Sequence, residues 1–125
     1  MAIIPQEVKT AWEDQVIAPV FTTTDTNGIP NSVYATCIRI LDDSTFVVAD
    51  NYFGKTKANI EAGSTGSILF LTSEKKGYQI KGTLVYESEG EYFDFMKSWN
   101  PDHLPGNAAV ALKVDEVYSG STKLA

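Results

Sequence analysis

Three β-rich runs follow one another in the first half of the chain with no room for a helix between them. VIAPVFTTTD (16–25) is followed by Asn27-Gly28, then by NSVYATCIRIL (31–41), by Asp42-Asp43-Ser44, and by TFVVAD (45–50). An Asn-Gly pair between two such runs is a strong hairpin signal. Parallel neighbours need a crossover of about a dozen residues or more, usually a helix, so connections of a few residues permit only antiparallel pairing. This restriction alone removes the parallel-sheet α/β folds from consideration.

The rest of the chain continues the pattern. PQEVKTAWEDQ (5–15) carries Val8, Ala11 and Trp12 at three- and four-residue spacing, with Pro5 suited to a first helical position, and reads as a short amphipathic helix over a core. GKTKANIEAG (54–63) reads as two turns of helix closing on Gly63. GSILFLT is a short apolar strand, EKKG a turn, and YQIKGTLVYES a long alternating strand in which Gly82 marks a bulge. EGEYFDFMKSW reads as a helix with acidic residues in its first turn and Phe93, Met96 and Trp99 along one stripe; AAVALKVDEVYS is the last strand. The polar tail GSTKLA is expected to be disordered unless anchored. Six strands with short turns would expose costly edges as an open sheet, so the expected fold is mostly β: a six-stranded antiparallel split β-barrel of Greek-key type with short flanking helices.

At 125 residues the chain is expected to form one domain, 1–125, able to bury about two thirds of its unfolded surface. Sixteen acidic against 10 basic residues give a net charge of −6, which argues against general affinity for nucleic acid or anionic lipid. No apolar run approaches the roughly 20 residues of a membrane span, and the start lacks the pattern of a secretory signal. The lone Cys37 cannot form an internal disulfide and reads as a small buried hydrophobe, so the cytoplasm is the expected compartment. One His and one Cys leave no set of ligands for a zinc site of the usual kind, and no metal is expected. His103, in NPDHLPG, reads as an exposed loop residue.

ADNYFGKT (49–56) satisfies a loose phosphate-loop pattern, with Ala49 where the strict pattern has Gly. That loop belongs between a parallel strand and a helix, a context the antiparallel pattern denies. Asp50, Tyr52 and Phe53 are also acidic or bulky where permissive residues must wrap an anion. Lys55 and Thr56 nevertheless open a helix, where an ammonium, a hydroxyl and free N–H groups favour a monophosphate; the plain alternative is a solvated lysine at a helix start.

As an ordered set, these segments resemble the FMN-binding split barrel of the pyridoxamine 5′-phosphate oxidase family, and within it the small FMN-binding proteins of anaerobic bacteria. The resemblance covers nearly the whole chain and is carried by NSVYATCIRILDDSTFVVADNYFGKTKANI, by YQIKGTLVY and by AAVALKVDEVY. In the small FMN-binding proteins the helix likewise opens with Lys-Thr followed by Ala-Asn, as Lys55, Thr56, Ala58 and Asn59 do here. Pyridoxamine phosphate oxidases have an Arg and an Arg-Lys pair where this chain has Tyr34 and Lys55-Thr56, so the resemblance favours the small flavoprotein branch.

What the resemblance implies is FMN bound by a homodimer, its ring between two barrels. Val33, Tyr34, Ala35 and Thr36 would lie along the ring and ribityl chain, with Tyr34 and Thr36 sharing one face by strand alternation. Ala49, Asp50 and Asn51 would follow the pyrimidine edge through backbone groups, and Lys55 and Thr56 would hold the phosphate. Trp99 and Tyr52 would cover the ring from the second subunit, although Trp99 reads equally as core; Arg39 is a weaker candidate on the opposite strand face. The implied function is electron transfer or a flavin-dependent oxidoreductase reaction of unknown substrate, with no catalytic side chain evident and no nucleic acid or membrane partner. A non-enzymatic binder or sensor holding F420 or haem on the same barrel is the alternative.

Overall fold

The computed structural model describes residues 2–125. The helix α1 (Gln6–Trp12) buries Val8 and Trp12, which lie one turn apart, and Trp12 sets its ring edge-on to Phe46 and Phe70 at centroid distances of 5.2 and 4.9 Å. Pro5 stands just before the helix in an extended conformation, one residue earlier than expected. The six expected strands appear as seven, because NSVYATCIRIL divides in two: β1 (Val20–Thr24), β2 (Pro30–Tyr34), β3 (Ile38–Asp42), β4 (Thr45–Asp50), β5 (Gly66–Leu71), β6 (Gly77–Glu87) and β7 (Ala108–Ser119). Two helices, α2 (Lys55–Glu61) and α3 (Glu91–Trp99), interrupt them, and β8 (Thr122–Lys123) follows.

All strand pairs are antiparallel, in the order β2-β1-β5-β6-β7-β4-β3, with β8 added beside β7. The mostly β class and the antiparallel barrel stand, but the described residues form eight strands and not six. One extra strand comes from the tail: Leu124 N–H donates to Val117 O at 2.7 Å and Val117 N–H to Ala125 O at 3.0 Å, so the tail is anchored and not disordered. The other comes from a break at Ala35–Cys37 in what the sequence presents as one long strand. Among the described residues β2 pairs only with β1 and β3 only with β4, so Ala35–Cys37 carry the chain from one end of the sheet to the other. Ala35 N–H still donates to Pro19 O at 2.8 Å, while Cys37 O accepts from Ala49 N–H at 2.9 Å. The barrel is thus closed by the chain itself and split where β2 and β3 share no ladder.

The interior is filled by Phe21, Ile38, Phe46, Val48, Ile68, Ile80, Val110, Leu112 and their neighbours. A second, smaller cluster of Val47, Ala49, Met96 and Ala109 lies under α3 on the outer face. The two clusters explain why every residue of TFVVAD is buried: one side of β4 faces the barrel and the other faces α3. The expected bulge is present between Lys81 and Gly82, where the β6–β7 register shifts. A Cβ on Gly82 would stand 2.1 Å from the backbone oxygen of Lys113, so no side chain fits there. Among the described residues no helix is long and apolar enough to cross a membrane.

Candidate functional site: the cleft at the barrel split

Where β2 and β3 part, a cleft of about 260 Å³ opens beside the end of β4. Six of the residues singled out from the sequence line it: Val33, Tyr34, Ala35, Thr36, Ala49 and Asn51. Alternation places them as expected, for Tyr34 and Thr36 are exposed while Val33 is half-buried and Ala35 is buried. Tyr52 lines the cleft as well. Tyr34 and Tyr52 are 71% and 77% exposed, so two rings border the cleft with little to cover them.

Cys37, Phe53 and Leu104 complete the lining. Cys37 is only half-buried, not the buried hydrophobe expected, because the chain passes there from β2 into β3 beside the opening. Leu104 arrives through a hydrogen-bond network with no sequence signature. The side chains of Asn51 and Asn100 bond reciprocally at 3.2 and 3.0 Å, Gly106 N–H donates to Asn51 Oδ1 at 2.9 Å, and Asn107 Nδ2 donates to the Asn51 carbonyl at 3.2 Å. Asn51 thus spends its side chain and carbonyl holding the loop 100–107 against β4, while the same loop leaves His103 exposed.

The other candidates lie outside the lining. Asp50 is 2% exposed, and its carboxylate turns into the protein, accepting from Tyr86 Oη at 2.6 Å and Phe53 N–H at 2.9 Å. Its carbonyl is taken by Asn107 N–H at 2.9 Å. Burial, together with the Asp50 carboxylate, pushes the Tyr86 phenol well above its ordinary value. Trp99 packs on the outer cluster that also takes Cys37 and Ala49, so it backs the cleft wall and does not enter the cleft. Its indole N–H is buried without an acceptor among the described residues. Arg39 sits over the Trp99 ring at 5.3 Å, away from the lining.

Lys55 is exposed at the start of α2, and none of the ion pairs among the described residues includes it. Gly54 precedes it without a capping side chain, which leaves the first backbone N–H groups of the helix without side-chain acceptors. Thr56 is buried at 2% exposure, and its hydroxyl oxygen accepts from Asn31 Nδ2 at 3.0 Å, leaving its proton to be donated elsewhere. Asn31, on β2, was not singled out from the sequence. Since β4 has antiparallel partners on both sides, ADNYFGKT lacks the parallel-sheet context of a triphosphate loop.

A depression of similar size, about 280 Å³, lies elsewhere, lined by hydroxyls of Thr22, Thr65 and Ser67 and by Lys81, Asp115 and Glu116. It has no aromatic wall. The split combines aromatic, small apolar and hydroxyl groups, which suits one planar, partly polar molecule.

The family model for pyridoxamine 5′-phosphate oxidase matches residues 4–120. An uncharacterized protein of Methanocaldococcus jannaschii is 30% identical over 122 residues, 93% of this chain and 80% of that one. Among solved structures, HupZ of Group A Streptococcus superposes with a TM-score of 0.84 at 30% identity, covering 98% of this chain and 99% of the other. An FMN-binding protein from Syntrophomonas wolfei subsp. wolfei shares the fold at a TM-score of 0.76 and 24% identity, over 90% and 82% of the two chains.

Proposed function

The chain belongs to the pyridoxamine 5′-phosphate oxidase family, and from that premise we propose that it is a homodimeric FMN-binding flavoprotein acting in electron transfer or as a flavin-dependent oxidoreductase. The observation that carries this reading is the cleft at the split: small residues Ala35 and Ala49 at its wall, the Thr36 hydroxyl, and the exposed rings of Tyr34 and Tyr52. Aromatic side chains bordering a narrow opening offer a stacking surface to a flat ring system. FMN, when bound, supplies the redox chemistry; the protein's residues orient the ring and exclude water from it. Tyr34 and Tyr52 would face the ring, Thr36 the ribityl hydroxyls, and Lys55 with the free N–H groups of α2 the phosphate. With a single free cysteine, the chain fits a cytoplasmic setting.

A volume of about 260 Å³ falls below the roughly 300–1,000 Å³ of sites that enclose a whole ligand. A second copy would supply the missing wall. Tyr34, Val20 and Leu69 stand side by side across β2, β1 and β5, and Tyr34 and Leu69 are 71% and 46% exposed, so an apolar strip adjoins the cleft and is available to a partner. Sedimentation at micromolar concentration is expected to give twice the 13.7 kDa chain mass. A monomer holding one equivalent of FMN would overturn the shared site.

The primary test is the purified protein's spectrum. A flavin spectrum that bleaches with dithionite, with FMN identified by mass after release, supports the reading; a haem spectrum or a deazaflavin mass overturns it. Lys55→Ala is expected to weaken FMN by about 1.5–3 kcal/mol, ten- to a hundred-fold, while leaving riboflavin unaffected, because only FMN carries the phosphate. Equal losses for the two ligands would remove Lys55 from the site.

A further inference from the structure

The buried carboxylate of Asp50 has no cation beside it: none of the ion pairs among the described residues includes it. Two neutral donors answer it instead, Tyr86 Oη on Oδ2 and Phe53 N–H on Oδ1. A buried charge is costly unless hydrogen bonds hold it, so these two contacts determine where Asp50 can sit. Tyr86 comes from β6 and packs against the barrel core, and the Lys57 ammonium of α2 stands 5.5 Å from its ring centroid. A single phenol–carboxylate contact therefore joins the end of β4 to β6 beside α2, at the root of the connection 51–54.

We infer that Asp50 and Tyr86 form a latch that fixes this connection, and with it the cleft wall made by Asn51, Tyr52 and Phe53. They are positioning residues that need not touch the ligand. Phe53 is tied through its amide to Asp50, and its ring lies 6.0 Å from that of Phe21. Tyr52, 77% exposed between these tethered neighbours, owes its place beside the cleft to them. Burial and the Asp50 carboxylate raise the Tyr86 phenol above its ordinary value, so it keeps its proton at ordinary pH and donates to Asp50.

The wall can be tested without any ligand, whereas the ligand's part in the inference rests on the FMN reading above. Tyr86→Phe removes the donor and keeps the ring; Asp50→Asn removes the charge and provides a second variant. In Tyr86→Phe, hydrogen exchange of the Phe53 amide in the free protein is expected to accelerate about tenfold or more, while amides of β6 and β7 such as those of Ile80 and Leu112 keep their rates. FMN and riboflavin affinities are expected to fall together by about tenfold, since the wall and not the phosphate end is disturbed. Unchanged exchange at Phe53, or acceleration spread evenly over β6 and β7, overturns the latch. Faster exchange with unchanged FMN affinity overturns its part in positioning the ligand. A wild-type chain that binds no FMN overturns the reading of the preceding subsection, and the exchange comparison still decides the latch.

Discussion

Replacing Gly82 with alanine is expected to cost about 3 kcal/mol of folding stability, the upper part of the usual range for overpacking. The added Cβ would meet the Lys113 backbone oxygen at 2.1 Å and Leu112 Cδ2 at 2.8 Å. A leucine methyl can rotate away, but a carbonyl in the β6–β7 ladder moves only with its strand. This ladder runs from Tyr78↔Ser119 to Glu87↔Ala109, so a shift at the bulge disturbs register over much of the barrel. Small domains hold only about 5–15 kcal/mol in total, and the loss should appear as a clear fall in the urea midpoint with little change in slope. A midpoint shift worth less than about 0.5 kcal/mol would mean that the bulge relaxes freely and that its glycine is dispensable.

The second large effect is expected on binding. Thr36 is exposed and lines the cleft, so Thr36→Trp places an indole at an opening of about 260 Å³ without overpacking the core. Stability is expected to stay within about 0.5 kcal/mol of wild type, as for most surface substitutions. Flavin affinity is expected to fall at least a hundred-fold, about 2.7 kcal/mol or more, because the side chain occupies space the ribityl chain would need. Titration followed by flavin absorbance measures it. Affinity within about threefold of wild type would move the flavin site away from the split.

Much of the fold was legible because its turns are local chemistry. At Asn27-Gly28, Gly28 has φ +79°, and Asp25 Oδ1 accepts from Asn27 and Ile29 N–H at 2.8 and 2.9 Å, all within five residues. The bulge at Gly82 and the helix EYFDFMKSW were legible for the same reason: a glycine inside a strand pattern and a three-to-four-residue apolar spacing are properties of neighbours. The break at Ala35–Cys37 was not, since β-favouring residues run through it and nothing nearby marks that β2 and β3 lie at opposite ends of the sheet. The candidate site divides in the same way. Val33 to Thr36 could be placed by alternation, but the inward turn of Asp50 depends on Tyr86, 36 residues away, and Leu104 reaches the cleft through Asn51, which bonds Gly106 55 residues away.

The sequence by itself determined the antiparallel barrel, because short connections admit no crossover and alternating residues choose their own faces. It also determined which short segments could form a cleft wall. Only the tertiary structure decided that the barrel is split at Ala35–Cys37, that Asp50 serves as an internal tether, that Trp99 backs the wall from outside, and that the tail closes on Val117. Each of these is fixed by a partner far along the chain, and such a contact becomes favourable only once the rest of the fold has brought the two ends together.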